Sequence, residues 1–225
     1  MGITGSPCAA RIIGVPAGSG GRRDPFRLRR RSLRQPVAGW PEAIGCHASF
    51  FSHLHSDHMM DYARLVHAAW DEGGAPLRVF GPEPIAQITD GYFGCDGVLT
   101  HDLRARTELS PSQEVWKARG GTLPRPWPAP VVTEIEPGFS FDGDGWRLGS
   151  CSVPHAQPLL SCMAFSVDCD GRRFVYSGDA GLCDSLRALA QDADFLLHWC
   201  YRLDGEATHP AMEALTPTPE VPPAN

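Results

Sequence analysis

Phe50-Phe51-Ser52-His53-Leu54-His55-Ser56-Asp57-His58 decides how the rest of the chain is read. Three imidazoles and a carboxylate fall within six positions, directly after an apolar run (Ala48, Phe50, Phe51) and directly before a helical pattern from Met59 to Trp70. Residues two apart on an extended segment point the same way, so the spacing predicts that His53, His55 and Asp57 converge on one side. His58, where the chain turns into the helix, points elsewhere and can serve a second ion. Imidazole nitrogen and carboxylate oxygen suit zinc and its neighbours, and a catalytic site keeps a position open for water. The plainer alternative is a solvated, His-rich turn in which Asp57 caps the helix that follows.

His-x-His-x-Asp-His after a hydrophobic strand resembles the signature of the metallo-beta-lactamase superfamily, whose members are mostly dinuclear metal hydrolases. Two later residues agree with it. His155, in Ser152-Val153-Pro154-His155, matches the family's third His, and Asp179, in Tyr176-Ser177-Gly178-Asp179, matches its bridging carboxylate. The resemblance runs over about residues 45 to 205. It implies an αββα sandwich of two mixed sheets packed face to face with helices outside, an α/β fold with its site at one edge between strand ends. It also implies one metal held by His53, His55 and His155 and another by Asp57, His58 and Asp179, with zinc expected, two ions per chain, and iron or manganese as alternatives. Asp57 and Asp179 are then the catalytic carboxylates. Two ions about 3.5–4 Å apart share a water and bring its pKa toward neutrality.

Composition sets bounds around this site. At 225 residues the chain fits one domain with a full core. No run of about 18 apolar residues and no basic-then-apolar leader is seen, so a cytoplasmic location without a membrane segment is expected. The eight Cys (8, 46, 95, 151, 162, 169, 183, 200) show no C-x-x-C pair and read as small core residues or free thiols. The net charge of −6 divides into +7 over residues 1–34 and −13 over the rest. An acidic body repels phosphate backbones, which counts against a nucleic-acid partner and for a small-molecule substrate. A homodimer is the candidate assembly.

The ends of the chain fit the resemblance least. Residues 1–44 read as an atypical Arg/Gly-rich segment, 45–215 as the metallo-beta-lactamase-like domain and 216–225 as a Pro-rich tail. Arg22 to Arg34 holds seven Arg in thirteen residues. A disordered basic arm, an arm that recruits nucleic acid and a stretch translated in a shifted frame compete for it, with disorder from the first or third cause preferred. At the other end, the family's final His ligand has no counterpart. His209 stands in neighbours that do not match, and His198 matches only the first residue of a relative's motif, so both are candidates for a supporting place behind the ligands. The second metal is therefore expected to be held weakly.

Between these ends the chain alternates. Met59–Trp70 predicts a helix, Leu77–Phe80 a strand and Pro84–Tyr92 a helix. Residues 94–130 show turn chemistry with few periodic stretches; Trp116 and Trp127 are pocket-wall candidates, although packing is the preferred reading of each. His67 and His101 read as surface residues. Val131–Ile135, Gly145–Val153, Cys162–Asp168 and Arg172–Ser177 predict strands, with Asp170-Gly171 a hairpin turn. Leu182–Gln191 predicts a helix and Asp194–Trp199 a buried strand. The function expected is hydrolysis of a small ester, sulfate ester, lactone or phosphodiester by metal-activated hydroxide, leaning to the arylsulfatase-like side. The alternatives are a ribonuclease Z-like tRNA 3′-processing endonuclease and a degenerate, non-catalytic copy of the fold. The 24 positions between His155 and Asp179 leave room only for a hairpin, against the long tRNA-gripping insertion of the relevant ribonuclease Z enzymes.

Overall fold

Ala48–Phe51 alternates between two cores, and that alternation sets the layers. A computed structural model describes residues 10–13 (backbone alone), 48–73, 75–181 and 183–198. Ala48 and Phe50 face one apolar cluster together with Phe80, Leu148, Met163, Phe165 and Tyr176. Phe51 faces another, with Tyr62, Leu65, Val66, Val79, Ile85 and Leu103. Successive strand residues point to opposite faces, so this strand is covered on both sides and reads as a continuous apolar run rather than an alternating one.

The strand is β2 (Ala48–Phe51), and it sits within a four-stranded sheet ordered β1 (Ala10–Ile13), β2, β3 (Arg78–Gly81), β4 (Val131–Glu134). All three pairings among the described residues are parallel, where a mixed first sheet was expected. Parallel neighbours need crossovers, and α2 (Tyr62–Asp71) between β2 and β3 supplies one. The strand Ala10–Ile13 was not placed by pattern, because four residues without alternation carry no period. The second sheet is mixed, as expected: β5 (Ser140–Asp142), β6 (Trp146–Ser152), β7 (Met163–Cys169) and β8 (Arg172–Tyr176) run antiparallel, and β9 (Phe195–Leu197) joins β8 in parallel. Asp170 and Gly171 at the β7–β8 turn both have positive φ, 51° and 71°, the conformation of a two-residue hairpin.

The two sheets pack face to face on an aromatic layer. The Phe50 ring stacks on Phe80 at 4.7 Å and meets Phe141, Trp146 and Phe165 edge-on. Helices cover the outer faces: α2 and α3 (Ile85–Phe93) lie on the first sheet, and α6 (Asp184–Leu189) lies on Val153, Ala164 and Val175 of the second. This is the four-layer sandwich that the resemblance implies.

Four expectations are corrected. Residues 94–130 contain two further helices, α4 (Thr100–Glu108) and α5 (Ser110–Ala118). Each buries a single residue, Leu103 or Trp116, so neither carries a stripe for a pattern to reveal. β9, expected buried, is exposed along its length. Met59–Trp70 is two helices, α1 (Ser56–Met59) and α2, with a break at Met60 and Asp61. Cys169 is disulfide-bonded and so is no free thiol; Cys95, Cys151, Cys162 and Cys183 are free.

Trp116 and Trp127 are packing residues. Trp116 is buried, donates its ring N–H to Thr122 O and lies against the Arg125 guanidinium; Trp127 donates to Phe93 O. Arg125 is itself buried, seated 3.6 Å from the Trp70 ring centroid and paired with Asp71 at 2.8 Å. The Pro-rich stretch is thereby fastened to α2. His67 is half-buried against Trp70, and His101 is exposed.

Candidate metal centre

Three strand ends deliver the chemistry to one edge of the sandwich. β2 ends at Phe51 and leads into Ser52 and His53; β6 ends at Ser152 and leads to His155; β8 ends at Tyr176 and leads to Asp179. The Met163 N–H donates to Ser52 O at 2.9 Å, tying the second sheet to the ligand turn of the first. His55 then begins α1, its carbonyl accepting from the N–H groups of His58 and Met59.

The side chains form two groups that share one histidine. The ligand atoms of His53, His55 and His155 lie within 4.8 Å of one another, as do those of His53, His58 and Asp179. Within the first group, His155 Nε2 and His55 Nδ1 are 3.1 Å apart. Within the second, His58 Nε2 is 3.1 Å and His53 Nε2 is 4.0 Å from Asp179 Oδ2. Donors about 2.0–2.1 Å from a tetrahedral zinc stand roughly 3.3 Å apart, so both short separations approximate the edge of such a polyhedron. His53 Nε2 is buried with no hydrogen-bond partner among the described residues, an orphan that a cation would satisfy. The residues present therefore fit a divalent metal.

The sequence-derived ligand set is brought together with one change. Asp57 does not converge with His53 and His55, because the extended run stops at His55 and Ser56 opens α1. Its side chain is 76% exposed and lies beside His58, with Oδ2 3.5 Å from Nε2. His53 accordingly contributes to both groups, whereas spacing alone gave it to one. His198 follows β9 and belongs to neither group, and His209 lies outside the described residues.

Electrostatics favour neutral imidazoles. Burial, followed by the neighbouring His58, His155 and His55, lowers the His53 pKa from 6.5 to about 3. Burial and then His55 lower His155. Neutral imidazole is the form that binds metal.

Behind His53 lie two residues that sequence reading did not single out. Ser52 Oγ is 3.0 Å from His53 Nδ1, and the Tyr176 hydroxyl hydrogen-bonds Ser52. Burial pushes that hydroxyl up to about 12. Gly178 makes room for Ser52 and the Met163 carbonyl: its φ is +62°, and a Cβ there would lie 3.0 Å from Met163 O and 3.3 Å from Ser52 Cβ. The adjacency of Ser52 to the first ligand was the available signal for its role; nothing local marked Tyr176, which arrives from another sheet strand.

A family model described as Beta-lactamase superfamily domain matches residues 16–217. The chain belongs to the beta-lactamase superfamily. Curated proteins that it is similar to include ribonuclease Z proteins. A ribonuclease Z of Mycobacterium bovis (strain BCG / Pasteur 1173P2) is 30% identical over 179 residues, 78% of this chain and 59% of that protein. One of Mycolicibacterium paratuberculosis is 30% identical over 185 residues, 80% of this chain and 61% of that protein. The chain thus spans about three fifths of the length of these curated relatives. Among solved structures, the metallo-beta-lactamase fold protein YhfI from Bacillus subtilis is similar at 18% identity and a TM-score of 0.45, over 68% of this chain and 49% of that one. No helix among the described residues is long and apolar enough to cross a membrane.

Proposed function

We propose that this chain is a metal-dependent phosphodiester hydrolase, with RNA as the preferred substrate class. The observation that carries the reading is the pair of three-donor groups joined through His53 at the strand ends. His53, His55 and His155 would hold one divalent ion, and His58 and Asp179 would offer two donors to a second, zinc being favoured by an imidazole-rich donor set. When bound, the metal supplies Lewis acidity and water activated at neutral pH. The chain's own groups do the rest. Asp179, paired with His58, would carry negative charge into the centre, and the exposed Asp57 carboxylate, 3.5 Å from His58, would accept a proton from an attacking water or orient it. RNA is preferred because the relatives named ribonuclease Z match over most of this chain.

A second reading keeps the reaction and changes the substrate to a small ester, sulfate ester or lactone. The two-residue β7–β8 turn favours it, since the segment between His155 and Asp179 offers no arm to grip a folded RNA. The deciding experiment is metal content by mass spectrometry on protein purified without added metal, beside His55→Ala, followed by turnover of a tRNA precursor, bis-p-nitrophenyl phosphate and an aryl sulfate. Bound metal that the variant loses, with cleavage of the precursor, supports the first reading; turnover of small substrates alone supports the second. A folded protein without metal would overturn both and leave the non-catalytic alternative.

A further inference from the structure

The side chains behind His53 have a definite hydrogen-bond logic. Ser52 and His53 are each 1% exposed, and Tyr176 is 3% exposed, so water does not supply their partners. His53 in its neutral form carries one proton. On Nε2 that proton would be a buried donor without an acceptor among the described residues, since Asp179 Oδ2 is 4.0 Å away. On Nδ1 it meets Ser52 Oγ at 3.0 Å. Orphaned buried donors are rarer than under-satisfied acceptors, so the arrangement with the proton on Nδ1 wins. Nε2 is then a lone pair aimed into both donor groups. Ser52, having accepted from the imidazole, turns its own hydroxyl proton to Tyr176 Oη, the contact that links the two side chains.

We propose that Ser52 and Tyr176 are positioning residues that fix His53 in its Nδ1–H tautomer and so pre-form the metal centre before an ion arrives. This rests on the metal-centre reading above. His53 is common to both donor groups, so the relay sets the lone pair of whichever group takes the ion that His53 binds. The relay is held by strands from both sheets: Ser52 follows β2, Tyr176 closes β8, and the Met163 N–H at the start of β7 fixes the Ser52 carbonyl. Gly178, with only a hydrogen facing Ser52, keeps the hydroxyl in place. The partner of a metal-binding imidazole is commonly a carboxylate or carbonyl; a serine backed by a buried tyrosine performs the same task without adding charge to the sandwich interior.

The test uses zinc itself, the full chain, and the variants Ser52→Ala and Tyr176→Phe. Zinc affinity is measured by chelator competition, the melting temperature is taken metal-free, and the His53 tautomer is read by long-range proton–nitrogen NMR on the metal-free protein. Wild type should show Nδ1–H. Ser52→Ala should show a tautomer mixture and bind zinc about 10–100-fold more weakly, and Tyr176→Phe about 2–10-fold more weakly, with metal-free melting lowered only as far as the loss of one buried hydrogen bond requires. A drop in melting temperature with tautomer and affinity unchanged would mean that Ser52 only packs, and would overturn the proposal, as would Nε2–H in wild type. If wild type takes up no zinc, the metal-centre reading fails, and the NMR comparison still decides the relay. Should Ser52→Ala not fold, Tyr176→Phe with an unshifted tautomer and undiminished affinity overturns it alone.

Discussion

Gly178→Ala tests whether the site depends on a glycine at the end of β8. The residue sits at φ +62°, where an L side chain costs about 1–2 kcal/mol. The added Cβ would also stand 3.0 Å from Met163 O, 3.3 Å from Ser52 Cβ and 3.4 Å from Ser52 Oγ. The first of these is backbone held by a sheet, so it cannot step aside as a flexible side chain would. Crowding of this kind costs about 1–3 kcal/mol, for a total of about 2–5 kcal/mol. At about 2–4 °C per kcal/mol for a chain of this size, metal-free melting should fall by about 4–20 °C. Gly171→Ala is the control, because its φ is +71° and a Cβ added there would meet nothing within 4 Å, leaving strain without crowding. The assay is thermal unfolding of the two variants and wild type without metal, then zinc competition on each. Gly178→Ala should be the less stable variant and the weaker zinc binder, since Ser52 and Asp179 both shift. Equal destabilisation of the two variants, or unimpaired zinc binding in Gly178→Ala, would refute the reasoning.

Two further outcomes follow from the electrostatics. His53 titrates near pH 3 when folded against an ordinary 6.5, so unfolding takes up a proton between those values. Metal-free stability is then fully present above pH 6.5 and is lost as pH falls toward 3, with His53 contributing a slope of up to about 1.4 kcal/mol per pH unit. His53→Gln should flatten that slope in urea melts taken between about pH 7 and 4; an unchanged slope would assign the effect elsewhere. Asp71→Ala leaves the buried Arg125 guanidinium without its 2.8 Å partner and should cost about 2–3 kcal/mol. Adding Arg125→Met should recover most of this in the same melts, because no charge is then left unpaired; a double variant no more stable than Asp71→Ala would speak against the pairing.

The ligand turn was legible because its information is local. His53, His55 and His58 stand within six positions, and the apolar run before them needs no partner to be recognised as a strand. The outlying candidate ligands, His155 and Asp179, rest on resemblance, since nothing in the residues around either one makes it a ligand alone. Asp57 shows where the reading failed: period two holds only while the backbone stays extended, and α1 begins one residue too early for it. The helices α4 and α5 were missed for the opposite reason. A helix that buries one side chain has no periodic face, and its position is settled by contacts such as Trp116 against Arg125.

By itself, then, the sequence determined that a strand feeds a cluster of imidazoles, that a series of strands follows, and that Asp170-Gly171 turns one hairpin among them. Only the tertiary structure decided that His53 serves both donor groups, that Asp57 stands outside them and that Ser52 and Tyr176 lie behind the first ligand. The physical reason is the same in each case. Chain direction and pleat are local properties, whereas which nitrogen meets which oxygen depends on three strand ends, from two sheets, arriving within hydrogen-bond distance at one edge.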